Sequence, residues 1–193
     1  MHIDFGTWKG SELTLAHTYR FPHRPQPVQE ADCLLAGVNV DHPQGFDNFA
    51  LFCPQYVSAG AKASIVCSFE DLGCPEIVLF EKPETCADGA VRYGACIEVV
   101  LYKDGVNVWR HYQDENKQVW WDLRLGVKFP VSEHEKHTLE VETAPQQLLF
   151  RVDGHEAVLR IEDLFDSFCL GLSMCEGVTR IYEMTLEADN LAG

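Results

Sequence analysis

The sequence predicts an all-β protein in which two antiparallel layers pack as a sandwich or barrel. About a dozen short segments of apolar or alternating residues lie between turn-forming residues. The pairs Asp104-Gly105 and Asp153-Gly154 each separate two apolar runs, which is the strongest short signal of a β-hairpin. No window of about 11 residues shows the periodicity of an amphipathic helix. The pattern therefore favours strands throughout.

The first half of the chain is predicted to hold five strands, which are separated by turns and loops. These strands cover residues 11–17, 33–40, 48–53, 61–70 and 75–81. Residues 21–30 carry three prolines and are predicted to be an extended connection. The polar stretch 82–92 is predicted to be a loop that borders a site.

The loop between the second and third predicted strands is a candidate calcium site. Asp41, Asp47 and Asn48 supply the oxygen ligands that calcium prefers. Their spacing matches no calcium-loop template, and Asp and Asn are also common in turns because they hydrogen-bond locally. We therefore expect no cofactor and keep calcium at this loop as a weaker alternative.

The second half of the chain is predicted to be richer in strands than the first. Strands are expected at 93–102, 106–112, 119–125, 137–142, 148–152, 155–161, 168–174 and 179–187. At the second Asp-Gly hairpin the register places Arg151 opposite Glu156. Residues 162–167 are predicted to form one helical turn.

The strands at 93–125 define a face that carries the most informative residues of the chain. If Asp104 and Gly105 are the central residues of the turn, Tyr102 pairs with Asn107, and side chains alternate between faces. The polar side then collects Glu98, Tyr102, Asn107, Trp109, His111, Trp120, Asp122 and Arg124. The core side collects Ile97, Val99, Leu101, Val108, Tyr112, Trp121, Leu123 and Leu125. Two tryptophans on the polar side are unusual for a surface that faces water.

Such a face suits a saccharide, because C–H faces of sugars stack on aromatic rings and hydroxyls pair with polar side chains. We expect Trp109 and Trp120 to stack on the ligand, and Tyr102, Asn107 and Arg124 to bind its hydroxyls. One alternative is that a loop or a second subunit covers this face. In that case the protein is an accessory subunit or a homo-oligomer.

A second alternative is a glycoside-processing enzyme, a hydrolase or a lyase, that uses the same face. Glu98, His111 and Asp122 supply an acid, a base and an orienting carboxylate. Glu98 and Asp122 are predicted two strands apart, within reach of the ~6.5–9.5 Å that separates the carboxylates of inverting glycosidases. The sequence leaves binding and catalysis both open.

Composition and charge argue against two classes of partner. The chain of 193 residues has 15 Lys and Arg against 30 Asp and Glu, a net charge of −15, which disfavours nucleic-acid and anionic membrane partners. We expect one domain over residues 1–193. The eight cysteines form no C-x-x-C, Cys67 alternates with apolar neighbours, and Cys96, Cys169 and Cys175 lie in or beside apolar strands. We therefore expect free thiols in a reduced, cytoplasmic protein without a signal peptide.

The chain also resembles the concanavalin A-like lectin and glucanase superfamily. The resemblance rests on Trp8 to Leu15 as a first strand, and on Leu149 to Gly154 and Thr179 to Tyr182 among closing strands. It implies a jelly roll of two antiparallel sheets whose concave sheet binds a sugar. The chain departs from the laminarinase motif, since Val78 stands where an Asp belongs between Glu76 and Glu81. The galectin and legume-lectin signatures are also absent from the sequence.

Overall fold

The computed structural model describes residues 1–19, 26–37, 49–189 and 191, and in these ranges the regular structure is entirely β-strand. In chain order the strands are β1 (His2–Asp4), β2 (Thr14–Thr18), β3 (Val28–Gln29), β4 (Leu34–Ala36), β5 (Phe49–Val57), β6 (Lys62–Phe80), β7 (Glu84–Thr85), β8 (Val91–Tyr93), β9 (Cys96–Tyr102), β10 (Gly105–Gln113), β11 (Val119–Lys128), β12 (His137–Ala144), β13 (Gln147–Val152), β14 (His155–Arg160) and β15 (Phe168–Glu187).

Two long strands, β6 and β15, run through both layers of the sandwich. They pair antiparallel from Lys62 opposite Glu187 to Phe80 opposite Cys169. One end of β6 pairs with β12, and the other end pairs with β9. The sequence predicted two separate strands for each of them. That prediction was wrong, because the chain bends at bulges without interrupting the ladder.

The bends lie where the backbone adopts unusual conformations and comes very close to its neighbour. Asp71, Leu72 and Glu176 have positive φ angles of 51°, 68° and 58°. A Cβ atom added to Gly177 would lie 1.8 Å from the carbonyl oxygen of Asp71, and one added to Gly73 would lie 2.0 Å from that of Val178. Only glycine fits where the two strands cross from one layer to the other.

The front sheet has the strand order β11-β10-β9-β6-β15-β5-β2-β8-β7. The back sheet contains β14, β13 and β12 beside the other halves of β6 and β15, with β4 and β1 pairing along β15 and β3 pairing with β4. The sheets enclose one apolar core, to which β9 contributes Ile97, Val99 and Leu101, and the back sheet contributes Val141 and Phe150. The predicted two-layer antiparallel sandwich is confirmed.

Smaller predictions had mixed outcomes. Arg151 lies opposite Glu156 in the β13–β14 hairpin, as predicted, and its Nε donates to the carboxylate at 2.6 Å. Residues 162–167 form turns and bends, so the predicted helical turn is wrong. Short strands also occupy parts of the predicted connections 21–30 and 82–92. The calcium candidates Asp41, Asp47 and Asn48 lie outside the described residues.

The described cysteines are all unpaired, and most of them are buried. Within the described part of the chain, no helix has the length and hydropathy needed to span a bilayer.

Candidate functional site

A cavity of about 310 Å³ opens on the outer face of the front sheet. Its wall combines aromatic rings, buried carboxylates and small apolar side chains. The lining residues are Thr18, Cys74, Glu76, Tyr93, Gly94, Glu98, Val100, Tyr102, Asn107, Trp109, His111, Val119, Trp121, Cys175 and Glu176. Strands β9 and β10 supply the centre of this wall.

Five of the predicted site residues line this cavity together: Glu98, Tyr102, Asn107, Trp109 and His111. The hairpin register differs from the predicted one by two residues, because Tyr102 pairs with Gly105 and the central turn residues are Lys103 and Asp104. A shift of two residues leaves every side chain on its predicted face, since side chains alternate with a period of two.

The other three predicted residues, Trp120, Asp122 and Arg124, lie on the opposite face of the sheet, so their predicted placement is wrong. Val108 pairs with Leu125, but the next residue, Trp109, pairs with Leu123. This β-bulge adds one residue to β11 and reverses the faces of all residues before it.

The same bulge brings a different tryptophan into the cavity. Trp121, which the alternation assigned to the core, pairs with His111 and lines the cavity. The two rings stack with centroids 5.9 Å apart. Leu123, also assigned to the core, pairs with Trp109 and is 51% exposed.

On the face of the sheet opposite the cavity, residues of β11 take part in an ion-pair network. The Arg124 guanidinium donates to the Tyr112 hydroxyl at 3.0 Å and to Asp163 at 3.2 Å, and Arg110 donates to the other oxygen of Asp163 at 3.2 Å. Trp120 stacks on Tyr112 with centroids 5.6 Å apart. Arg124 therefore binds Tyr112 and Asp163 on the far face of the sheet and does not line the cavity.

The positive charges of Arg110 and Arg124 lower the pKa of the Asp163 carboxyl. Burial raises the pKa of the Asp163 carboxyl, but the hydrogen bond and charge of Arg110, with the charge of Arg124, outweigh burial and hold this pKa below its ordinary value. The ion pairs thus keep the carboxylate ionised and anchor the segment after β14 to the edge of the front sheet.

Glu98 and His111 form the polar centre of the cavity. The His111 Nε2 atom lies 2.8 Å from a Glu98 carboxylate oxygen, and Glu98 is only 5% exposed. The Cys96 thiol, two residues away on the same face of β9, donates to the other carboxylate oxygen at 3.7 Å. Burial, and then the negative charges of Glu98 and Glu76, raise the pKa of this thiol well above its usual range. Cys96 is therefore a protonated thiol in this environment.

Several residues that line the cavity were not predicted from the sequence. Glu76, 2% exposed, lies one strand away from Glu98, because Val100 is its partner in β9. It belongs to the stretch that the sequence assigned a structural role. Tyr93 is 1% exposed, and burial, followed by the charge of Glu98, raises its pKa well above the ordinary value. The signal that could have identified Trp121 is the adjacent pair Trp120-Trp121, of which one member must lie on each face.

The predicted catalytic set is not assembled as expected. Glu98 and His111 are in contact, but Asp122 lies on the far face of the sheet. The two carboxylates that do share the cavity are Glu98 and Glu76, on neighbouring strands. Diagonal neighbours of this kind have Cα atoms about 7–8 Å apart.

No protein-family model and no curated protein sequence matches this chain. Solved structures do match it. The mycobacterial "pseudo beta-1,3-glucanase" and immunostimulatory antigen of Mycobacterium tuberculosis is 10% identical, with TM-score 0.58, over 98% of both chains. A family 16 glycoside hydrolase endo-glucanase from Bacteroides ovatus is 10% identical, with TM-score 0.59, over 97% of this chain and 99% of that one.

A carbohydrate-binding module from Bacillus subtilis is 12% identical, with TM-score 0.57, over 75% of this chain and 84% of that one. The fold is the concanavalin A-like jelly roll. The resemblance seen in the sequence is confirmed at the level of the fold, and at these identities the likeness extends no further.

Proposed function

We propose that the protein binds a glycan in the cavity of the front sheet. The observation that carries this proposal is the cavity wall itself, in which the rings of Trp109 and Trp121 flank the polar pair Glu98 and His111. Flat aromatic rings suit the C–H faces of sugars, and a few fixed polar groups suit their hydroxyls. Tyr102 and Asn107 add a hydroxyl and an amide to the same wall.

The comparisons support this class of ligand without naming it. Proteins of the same fold include a carbohydrate-binding module and an endo-glucanase, and their names state that they bind or process glycans. A site in the same kind of sheet, lined by tryptophan and carboxylate, fits a role of that class. Fold alone supplies no activity, so the proposal depends on the side chains of the cavity.

A panel of soluble glycans tests the proposal. We would titrate the protein with β-1,3-glucan, mixed-linkage glucan, agarose and chitin oligosaccharides by calorimetry, with tryptophan fluorescence as a second readout. Saturable binding to at least one of them, weakened in the Trp109→Ala variant, is the expected result. Trp8→Ala is the matched control, because Trp8 is held by Glu12 and Phe5 outside the cavity. Absence of binding across the panel, or equal loss in both variants, contradicts the proposal.

A second candidate function, hydrolysis or transfer of a glycoside, is favoured by the two carboxylates in the cavity. Glu76 and Glu98 sit on neighbouring strands of one wall, as an acid and a base or nucleophile would. Product analysis of the same mixtures by mass spectrometry separates the two functions. An enzyme loses turnover by orders of magnitude in Glu98→Gln and Glu76→Gln, whereas a binding protein releases no product in any variant.

A further inference from the structure

We propose that Cys96, Glu98 and His111 form a binding site for a divalent transition-metal ion of borderline softness, with Zn²⁺ as the type case. The sequence predicted no metal here, because the three residues show no recognisable metal-ligand spacing. The fold brings them together: Cys96 and Glu98 lie on one face of β9, and His111 is the direct partner of Cys96 on β10.

The ligand atoms already lie close to the distances that a metal requires. The thiol, carboxylate and imidazole atoms of the three residues all lie within 4.8 Å of one another. In a tetrahedral zinc site the ligand atoms are about 3.3–3.6 Å apart, given metal bonds of about 2.0–2.3 Å. The Cys96 Sγ lies 3.7 Å from one Glu98 oxygen, and the His111 Nε2 lies 2.8 Å from the other. To hold an ion, the Glu98–His111 pair would have to separate, and the three ligand atoms would have to move from within 4.8 Å to about 3.3–3.6 Å of one another.

The chemistry of the ligands selects the ion. Binding of the ion would release the Cys96 thiol proton to solvent. The resulting thiolate, an imidazole and a carboxylate suit Zn²⁺ or Co²⁺, whereas Ca²⁺ and Mg²⁺ prefer oxygen ligands alone. Three protein ligands leave one coordination position free. Because Glu98 and His111 line the cavity while Cys96 is fully buried, we expect that position to face the cavity.

The surroundings favour a cation at this point. Glu76 and Glu98 both line the cavity and are almost fully buried, and no lysine or arginine lines it in the described part of the chain. The Tyr93 hydroxyl in the same wall has no hydrogen-bond partner among the described residues and is buried. It is a ready partner for a water or ligand atom on the ion. Stacking on Trp121 fixes the orientation of the His111 ring.

Titration with Co²⁺ alone tests the proposal. The protein is stripped with a chelator and kept in a phosphine reductant, because Cys74 and Cys175 face each other across strands and must stay reduced. One equivalent of Co²⁺ should produce a thiolate-to-cobalt charge-transfer band and the intense visible bands of tetrahedral cobalt, and Zn²⁺ should abolish both. Absence of the charge-transfer band overturns the proposal.

Variants assign the ligands. Cys96→Ser should remove the charge-transfer band, and Glu98→Gln and His111→Gln should each weaken Co²⁺ binding at least about tenfold. Cys175→Ser is the matched control, since this thiol lines the same cavity outside the set of three, and it should bind as the wild type does. A band that survives in Cys96→Ser, or that is lost in Cys175→Ser, contradicts the assignment.

Folding of each variant is checked by circular dichroism. If the Cys96 variant fails to fold, His111→Gln decides, because His111 lies at the cavity surface and its loss leaves the core intact. Unchanged Co²⁺ affinity in that variant overturns the proposal. The test uses the metal alone, so its failure leaves glycan binding standing, and failure of the glycan panel leaves the metal site standing.

Discussion

The neighbouring residues Trp120 and Trp121 provide a sharp test of the face assignment. They have similar exposure, 48% and 39%, but as adjacent strand residues they lie on opposite faces of the front sheet, and the bulge in β11 puts Trp121 on the cavity face. Replacing Trp121 by Ala should weaken glycan binding, whereas replacing Trp120 by Ala should leave the dissociation constant within about twofold of the wild type.

The expected loss follows from the exposed part of the ring. A tryptophan side chain presents at most about 250 Å², so 39% exposure leaves about 100 Å² of Trp121 available. A sugar ring stacked on one face covers roughly half of that area, and about 50 Å² at about 25 cal/mol per Å² contributes about 1.2 kcal/mol. This corresponds to a dissociation constant about eightfold higher in the Trp121→Ala variant.

Calorimetric titration with the best glycan of the panel measures this difference. Thermal melts accompany it, because Trp120 stacks on Tyr112 and its removal affects the Arg124–Asp163 network on the far face. A Trp121→Phe variant should recover part of the affinity, since a smaller ring remains. Equal losses for the two alanine variants, or a larger loss for Trp120→Ala, would refute the reversed register of β11.

Three further predictions concern stability and reactivity. Gly177→Ala should destabilise the protein by about 3 kcal/mol in urea titrations, because the added Cβ meets backbone. Gly37→Ala should destabilise it far less, because a Cβ there meets nothing within 4 Å. Similar losses of stability in the two variants would contradict the close crossing of β6 and β15. The folded-state pKa of Asp163 is lowered, so its ion pairs stabilise the protein above pH 3.8, and this contribution is lost as the pH falls below that value. The difference in free energy of unfolding between wild type and Asp163→Asn should therefore shrink below pH 3.8. A difference that stays constant with pH would contradict the ion pairs. Burial raises the pKa of the Cys33 thiol to about 11 and that of the Cys169 thiol to about 12. Ellman's reagent should therefore label both thiols slowly in the native protein and rapidly in urea. Rapid labelling of the native protein would contradict their burial.

Alternation of side chains explains why half of the site was predictable. Along β9 and β10 the ladder is continuous, and the period of two placed Glu98, Trp109 and His111 on one face even though the turn position was off by one. The error in register was an even number of residues, to which alternation is insensitive. The predicted core residues of these strands, such as Val99 and Val108, are fully buried for the same reason.

The bulge in β11 could not be predicted from the local sequence. The extra residue is Arg124, whose guanidinium binds Asp163, a partner 39 positions along the chain. Local patterning contains no information about that contact, and one inserted residue reverses the face of every residue before it. Glu76 was missed differently: its neighbours resembled an incomplete motif, and only the pairing of β6 with β9 brings it to the cavity.

The long strands β6 and β15 show where local sequence fails to separate a turn from a bend within a strand. Gly73 and Gly177 lie in the gaps between the strands predicted at 61–70 and 75–81 and at 168–174 and 179–187. In the structure these glycines allow two backbones to approach closely at a bend while pairing continues on both sides. A glycine within a strand pattern is compatible with a turn and with a bulge, and only the partner strand distinguishes them.

The most direct test of glycan binding in the cavity uses the four tryptophan indole signals of a ¹⁵N-labelled sample. Each indole N–H gives its own NMR peak, and single Trp→Phe variants assign the four peaks. On titration with a glycan from the panel, we predict that the Trp109 and Trp121 peaks shift in a saturable way, while those of Trp8 and Trp120 stay in place. Shifts confined to Trp120, or no shift of any indole with every glycan, would contradict the assignment of this cavity as the binding site.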